Sequence, residues 1–232
     1  MLQHHHADGV TTLTLARPDR GNALAADLVE ALLARVLEAG ADAAVHTLVL
    51  RAEGRHFCTG LDLSTLASES DGDLLHRLVR IETLLAALWH APLRTVAVAQ
   101  GRTWGAGADL FAACEQRVAL AGSSFRFPGA QFGIVLGTRR LAERIGADRA
   151  RALVTEGGEL DAAAALACGL ANAATEGANV APRVSAATAR AVRAATREDR
   201  RDHDLAALVR SAAEPGLRAR IAAYRERLRA AA

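Results

Sequence analysis

The residues best suited to chemistry in this sequence are Gly105 and Ala106, two small residues at a predicted turn, and Asp109, an acid that follows them. They come after the β-branched run 95–99 and lead into an Ala-rich segment, an order typical of a strand, a tight turn and a helix start. Small side chains let a ligand oxygen approach the backbone, and the free amides of a first helical turn stabilise negative charge on it. This stretch therefore predicts one half of a backbone oxyanion hole. A packing turn with a surface aspartate is the alternative.

A second turn of the same kind lies about 45 residues earlier in the chain. The apolar run 48–50 is predicted to be a buried strand, and the loop after it contains Gly60 and Leu61. The amide of Leu61 is thus a second candidate donor, and a hole for a carbonyl oxygen needs two amides from separate loops. Asp109 lies about one helical turn after Ala106, so its carboxylate is predicted to face the same space.

The spacing of apolar residues indicates the elements that would position these turns. Apolar runs alternate with segments of helical periodicity, which predicts an α/β fold with a largely parallel, buried sheet and helices outside it. The predicted strands are 10–16, 47–51, 95–99 and 117–119, and the predicted helices are 24–39 (capped by Gly40), 73–89 and 107–113. From residue 139 onward the prediction is almost entirely helical, in segments 141–145, 149–156, 161–168 and 183–229 with breaks. The last segment carries an apolar face, for which a partner subunit and an intrachain core are the alternatives.

Composition excludes several classes of function. The chain has 232 residues and a formal net charge of +2, which allows one substantial core but does not predict a nucleic-acid partner. It contains no lysine, so a Schiff-base lysine, a P-loop lysine and a Ser–Lys dyad are excluded. Phosphate groups of a ligand would therefore have to be bound by arginine, histidine or backbone amides.

Cysteine usage and the first residues indicate the compartment. The three cysteines have no regular spacing, which argues against a disulfide framework or a zinc site and favours a reducing environment. Residues 1–6 include three consecutive histidines and no apolar signal region. Neighbouring residues of an extended segment point to opposite faces, so no metal site is predicted there. Since no apolar run approaches the length of a membrane span, we expect a cytoplasmic protein without a membrane partner.

Five stretches, in order, resemble the landmarks of the crotonase superfamily, the enoyl-CoA hydratase/isomerase proteins. They are Arg17–Leu24, Phe57–Leu63, Gly105–Leu110, Phe125–Pro128 and Leu136–Leu141. The resemblance implies a crotonase-like ββα spiral core in residues 1–170 and a helical C-terminal segment of the trimerisation type in residues 171–232. It also implies an acyl-CoA substrate, no cofactor beyond the coenzyme A of that substrate, and a homotrimer or homohexamer. The C-terminal segment is short for the family, which predicts a more open distal acyl pocket.

The resemblance also implies roles for individual residues. The amides of Leu61 and Ala106 would bind the thioester oxygen, and Asp109 occupies the position of the first catalytic glutamate of the hydratases. Arginines near the coenzyme A loop would contact its phosphates, and Gln131 is a candidate for orienting substrate or water. The predicted substrate-binding and coenzyme A-binding residues are Arg17, Arg20, Ala23, Thr59, Gly60, Leu61, Asp62, Leu63, Trp104, Gly105, Gly129 and Gln131.

One position departs from the hydratase pattern. The second hydratase glutamate corresponds to Gly129, which has no side chain. Adding water to a double bond needs one group to activate the water and another to protonate the α-carbon, so ordinary hydratase activity is not expected from Asp109 alone. Three alternatives follow: enolate chemistry of the hydratase/isomerase type with Asp109 as the acid/base, an acyl-CoA-binding relative without catalysis, and a decarboxylase or thioester hydrolase. Gln131 and His90 are candidates for a substitute second group.

Overall fold

The computed structural model describes residues 1–177 and 181–230, and its described part contains two sheets. The larger sheet has five strands in the order β1-β2-β3-β4-β6: β1 (Leu2–Ala7), β2 (Val10–Leu15), β3 (Thr47–Ala52), β4 (Arg94–Ala99) and β6 (Gln116–Ala119). β1 is antiparallel to β2, and the remaining neighbours are parallel. The smaller sheet contains β5 (Arg102–Trp104), β7 (Ser124–Arg126) and β8 (Glu159–Asp161). The predicted α/β class with a largely parallel sheet is confirmed.

The described residues form nine α-helices. Their bounds are α1 (Ala26–Ala41), α2 (Asp71–Trp89), α3 (Ala106–Ala113), α4 (Thr138–Ile145), α5 (Ala147–Glu156), α6 (Ala162–Cys168), α7 (Ala186–Ala195), α8 (Arg201–Ala212) and α9 (Leu217–Ala230). A short 3-10 turn at Pro128–Phe132 precedes α4. α2 begins with a capping box in which Ser70 and Asp73 satisfy each other's backbone amides, a strong local start signal.

Two details differ from the prediction. Gly40 does not cap α1, since the helix continues to Ala41 and ends at Asp42. A Cβ on Gly40 would lie 3.3 Å from the ring of Pro92, so this glycine allows close packing within the helix. The strands β1, β5, β7 and β8 were not predicted, because three of them are only three residues long and β1 is a mostly exposed edge strand rich in histidine.

Parallel pairing brings the two predicted turns together. β3 and β4 are parallel neighbours, with Leu50 opposite Ala97, so their carboxyl ends lie at the same edge of the sheet. The loops that leave these ends are joined by an isolated parallel bridge between Cys58 and Thr103. The sheet therefore positions the Gly60 turn beside the start of α3.

The last two helices pack on α2 inside the chain. Leu208, Leu217 and Ile221 are fully buried in a cluster with Leu74 and Leu78 of α2. The side chain of Asp71 accepts hydrogen bonds from the amides of residues 216–218, which fixes the start of α9 on the start of α2. Of the two alternatives for the apolar face of the tail, the intrachain core is the one observed for these residues.

The predicted segment 171–232 includes residues 178–180 and 231–232, which lie outside the described residues. Within the part of the chain that is described, we find no helix both long enough and apolar enough to cross a membrane.

Candidate active site

The two turns approach each other through their backbones. A Cβ on Gly60 would lie 3.0 Å from the carbonyl oxygen of Trp104 and 3.5 Å from the amide nitrogen of Ala106. Gly107 is closer still to the other loop, because its Cβ would lie 2.3 Å from the carbonyl oxygen of Cys58. Any side chain at position 107 would therefore push the two turns apart.

The amide of Leu61 points away from its neighbouring segment. The amide of Leu24 donates to the carbonyl of Gly60 at 2.8 Å, and the amide of Asp62 donates to the carbonyl of Leu24 at 3.1 Å. Successive groups of an extended segment point to opposite sides, so the Leu61 amide faces the side opposite Leu24. It has no backbone acceptor among the described residues.

Ala106 is the first residue of α3, and Gly105 is its N-cap. The amides of Ala108 and Asp109 both donate to the carbonyl of Gly105, at 2.8 and 3.1 Å. The amide of Ala106 comes before the first intrahelical hydrogen bond and likewise has no backbone acceptor in the described ranges. Two unused amides thus lie on adjacent turns.

Both turns contribute to one cavity of about 120 Å³. Leu61, Ala106 and Asp109 all line it, and so do Thr59, Gly60, Leu63, Gly105 and Gly129 among the predicted binding residues. Most of the remaining wall is apolar: Leu78, Phe127, Pro128, Ala130, Phe132, Ile134, Leu136, Leu141, Val154 and Ile221, with Thr138 and Tyr224 as further polar residues.

Asp109 is a buried acid at the wall of this cavity, with 5% of its surface exposed. Its Oδ1 atom has no hydrogen-bond partner in the described structure. Burial raises the pKa of Asp109 well above its ordinary value; the guanidinium of Arg140 opposes this effect and the carboxylate of Glu82 adds to it. Gly137 leaves room for the carboxyl group, since its Cβ would lie 2.1 Å from Oδ1. Burial at this position therefore favours the neutral, protonated form of the carboxyl group.

Gly129, which the resemblance equates with the second hydratase acid, is also at the cavity wall. Gly129 lies in the turn before α4, and its carbonyl accepts the amide of Ile134 at 2.9 Å. A Cβ at this position would lie 3.0 Å from the carbonyl oxygen of Ile134, which is tight but not prohibitive. The geometry is consistent with a wall in which Gly129 contributes only backbone.

Tyr224 is the second titratable residue among those that line the cavity. Its ring packs against Phe132, with centroids 5.1 Å apart. Burial raises its pKa, against the nearby guanidinium groups of Arg126 and Arg227. Its hydroxyl is therefore a neutral hydrogen-bond donor. No local pattern indicates this role, because α9 reaches the cavity only through tertiary packing.

Several predicted binding residues hold the loops together. The guanidinium of Arg17 lies 3.0 Å from the carboxylate of Asp62 and donates to the carbonyl of Ala23 at 2.9 Å. These contacts tie the exit of β2 to the loop that carries Leu61. The arginine thus already has protein partners, and its predicted contact with coenzyme A stays a prediction.

Other predicted residues lie outside the cavity wall. Arg20 is exposed, 3.7 Å from Asp19, and Gln131 is exposed on the turn before α4. The ring of Trp104 lies 4.6 and 5.1 Å from the guanidinium carbons of Arg102 and Arg126.

His90 caps α2, and its ring lies 3.8 Å from Asp199 in a different cleft. Neither Gln131 nor His90 lines the cavity that holds Asp109. Ile221 and Tyr224 of α9 form part of the wall of that cavity, and the more open distal pocket stays a prediction.

Comparison with known proteins identifies the family of this chain. The family model for enoyl-CoA hydratase/isomerase matches residues 5–222. The probable enoyl-CoA hydratase echA6 of Mycobacterium tuberculosis is 36% identical over 175 residues, covering 74% of this chain and 70% of the relative. The ethylmalonyl-CoA decarboxylase of Mus musculus is 32% identical over 169 residues, covering 70% of this chain and 52% of the relative.

Solved structures give the same result. A family member from Bordetella parapertussis superposes with a TM-score of 0.92 at 41% identity, covering 96% of this chain and 97% of the other. An enoyl-CoA hydratase from Bacillus halodurans shares the fold, with a TM-score of 0.83 at 21% identity over 96% and 99% of the two chains. The chain therefore belongs to the enoyl-CoA hydratase/isomerase family of enzymes, in the crotonase superfamily.

Proposed function

We propose that this protein acts on an acyl-CoA thioester and stabilises its enolate with the amides of Leu61 and Ala106. Asp109 is the acid/base that moves the proton. The observation that supports this is the single cavity lined by both residues with unused amides and by one buried acid. Donors aimed at an oxygen that gains charge during reaction stabilise the transition state more than the ground state.

Isomerisation of a double bond is the reaction that one acid/base can complete. The ionised form of Asp109 removes a proton from the α-carbon of a 3-enoyl thioester, and the electron pair of that bond delocalises onto the thioester oxygen. The protonated Asp109 then returns the proton to the γ-carbon, so the double bond moves into conjugation and the carboxylate is regenerated. A raised pKa makes Asp109 a stronger base once it is ionised.

Decarboxylation is the second candidate, and the raised pKa of Asp109 favours it. Loss of carbon dioxide from a carboxyacyl thioester leaves the same enolate, which then needs one proton at the α-carbon. A protonated Asp109 supplies this proton directly, and the apolar wall provides no cation to hold the substrate carboxylate in its ground state. The decarboxylase among the relatives supports this candidate.

A panel of acyl-CoA substrates separates these reactions. We expect turnover of 3-enoyl-CoA or carboxyacyl-CoA to exceed hydration of 2-enoyl-CoA, and Asp109→Asn to lower that turnover by about 10²- to 10⁴-fold. Binding without turnover across 2-enoyl-, 3-enoyl-, malonyl- and aryl-CoA would instead support the alternative of an acyl-CoA-binding protein. Unchanged turnover in Asp109→Asn would contradict the assignment of the acid/base.

The pH dependence distinguishes the two candidates. Isomerisation starts from ionised Asp109, so its rate should rise with pH through the raised pKa. Decarboxylation uses protonated Asp109, so its rate should fall over the same range. Initial rates at constant ionic strength measure both.

We also propose that the substrate is the only organic group required and that the protein is a cytoplasmic homotrimer or homohexamer. The family membership supports this proposal. Light scattering after size-exclusion chromatography measures the oligomer, and a monomer would contradict it.

A further inference from the structure

Three helices, α2, α4 and α8, bring buried charges together near Asp109 of α3. Glu82 of α2 and Arg140 of α4 are 2% and 1% exposed, and Asp204 of α8 and Arg139 of α4 lie beside them. Charges are rarely buried this deeply unless they are paired. The pairing within this cluster therefore decides how much positive charge reaches Asp109.

The guanidinium of Arg140 pairs with the carboxylates of Glu82 and Asp204 rather than with Asp109. Its Nη1 donates to Oε2 of Glu82 at 3.0 Å, and its Nη2 donates to Oε1 of the same residue. Nη2 also lies 3.2 Å from Oδ2 of Asp204. The two terminal nitrogens of this guanidinium are thus used by acids on α2 and α8.

Arg139 supplies no free cation to Asp109. Its Nε and Nη2 donate to the two carboxylate oxygens of Asp204, each at 2.7 Å, and its Nη1 pairs with Glu143. Two guanidinium groups therefore meet the carboxylates of Glu82, Asp204 and Glu143, which leaves no excess positive charge in the cluster.

Oδ1 of Asp109 and Nε of Arg140 are among the buried atoms that have no hydrogen-bond partner in the described structure. The charged groups that act on Asp109 are Arg140 of α4 and Glu82 of α2, while Tyr224 is the other titratable residue of the cavity wall. A carboxylate ionises in such surroundings only at high cost, unless a cation compensates for it. Here the available cation, Arg140, is shared with the carboxylates of Glu82 and Asp204.

We propose that Glu82 is a positioning residue that, by holding Arg140, withholds this cation from Asp109 and keeps Asp109 protonated at neutral pH. This inference rests on the proposed function of Asp109, and it assigns the acid/base balance of the site to a residue that does not line the cavity. Asp204 supports the same arrangement from α8, so the C-terminal helices contribute to the chemistry as well as to the core.

The variant Glu82→Gln tests this with almost no change in shape. Removing the charge of Glu82 leaves Arg140 only partly compensated, so Asp109 ionises at lower pH. We expect the pH–rate profile to shift to lower pH by roughly one to three units, the effect of an opposite charge on a buried carboxyl group. Glu143→Gln is the matched control, because Glu143 pairs with Arg139 and its side chain is 43% exposed; its profile should not shift.

Infrared spectroscopy gives a readout that does not depend on turnover. The carbonyl band of a protonated carboxylic acid should be present in the wild type at neutral pH, absent in Asp109→Asn, and titrated away at lower pH in Glu82→Gln. An unshifted band and an unshifted profile in folded Glu82→Gln would overturn the proposal. If Asp109→Asn kept full turnover, the proposed acid/base function of Asp109 would be contradicted. The infrared band of the wild type and of Glu82→Gln would still show whether Glu82 controls the protonation of Asp109.

A second variant covers the case in which Glu82→Gln does not fold. Asp204→Asn removes the other carboxylate from Arg140, at the cost of its pairing with Arg139. We expect a shift of the Asp109 band in the same direction. Absence of that shift in folded Asp204→Asn would count against the proposal.

Discussion

The two sides of the cavity present different kinds of chemical groups. The side of Leu61 and Ala106 consists of backbone amides on loops, held in place by close contact between Gly107 and Cys58. The side of Asp109 consists of side chains, with charges from α2, α4 and α8 arranged behind it. Backbone donors depend on local turn geometry, whereas the protonation state of an acid depends on every charge that packs near it. Substitutions can therefore damage one side and leave the other intact.

The largest effect is expected where the backbone side is closest. In Gly107→Ala, the new methyl group would lie 2.3 Å from the carbonyl oxygen of Cys58, so the start of α3 must move away from the Leu61 loop. We expect turnover to fall by about 10²- to 10³-fold, the cost of losing one oxyanion donor. Steady-state kinetics measure this. Gly72→Ala in α2 is the control, because its Cβ meets only an ordinary contact at 3.6 Å.

A gain of function would test the acid side. Gly129→Glu adds a second carboxylic acid at the cavity wall, if the carbonyl of Ile134 moves by a few tenths of an ångström to relieve a 3.0 Å contact. We expect hydration of 2-enoyl-CoA to increase by at least about tenfold, since a positioned acid contributes substantially to such a step. Gly129→Gln adds similar volume without the acid and should show no gain. Equal rates in the two variants would mean that shape, and not proton transfer, limits hydration.

The variant Tyr224→Phe tests whether α9 contributes a hydrogen-bond donor to the reaction or only packing. The substitution removes the hydroxyl and keeps the ring that packs on Phe132. If the hydroxyl donates a hydrogen bond to the substrate, kcat/KM should fall by about threefold to tenfold, the value of one neutral hydrogen bond. An unchanged value would restrict Tyr224 to an apolar role.

The smallest effect concerns stability. Because the pKa of Asp109 is raised in the folded state, the unfolded chain loses this proton at lower pH than the folded one, and stability falls as pH rises from the unfolded value toward the folded value. Asp109→Asn should remove this loss and raise Tm by a few degrees at neutral pH, with no difference near pH 4. Scanning calorimetry across this range measures the effect, and a Tm difference that does not depend on pH would contradict it.

Local patterns were sufficient for the backbone side. A strand followed by a small-residue turn is recognisable in the consecutive residues that lead to positions 60 and 105, and a helix start follows the second turn. Both turns and Asp109 were therefore predicted, and all of them line the cavity. Gly129 was likewise recognised as a departure from the hydratase pattern, and it too lies at the wall.

The acid side could not be predicted in the same way. Glu82, Arg140 and Asp204 are separated by about 60 residues at each step, and nothing in their local sequence distinguishes them from charges on a solvated helix face. The position of Tyr224 at the cavity wall could not be predicted either, because its spacing in α9 indicates an apolar stripe and not the wall of a distant cavity.

Order along the chain thus predicted the fold class, the family and the two turns that line the cavity, since these depend on contacts between near neighbours or on parallel strand ends. It also shows that position 129 carries no acid. Only the tertiary structure decided that α9 forms part of the pocket wall and that Asp109 lies near charges already paired with one another. The physical reason is that burial and long-range Coulomb interactions arise when distant helices pack, and a linear sequence does not contain those distances.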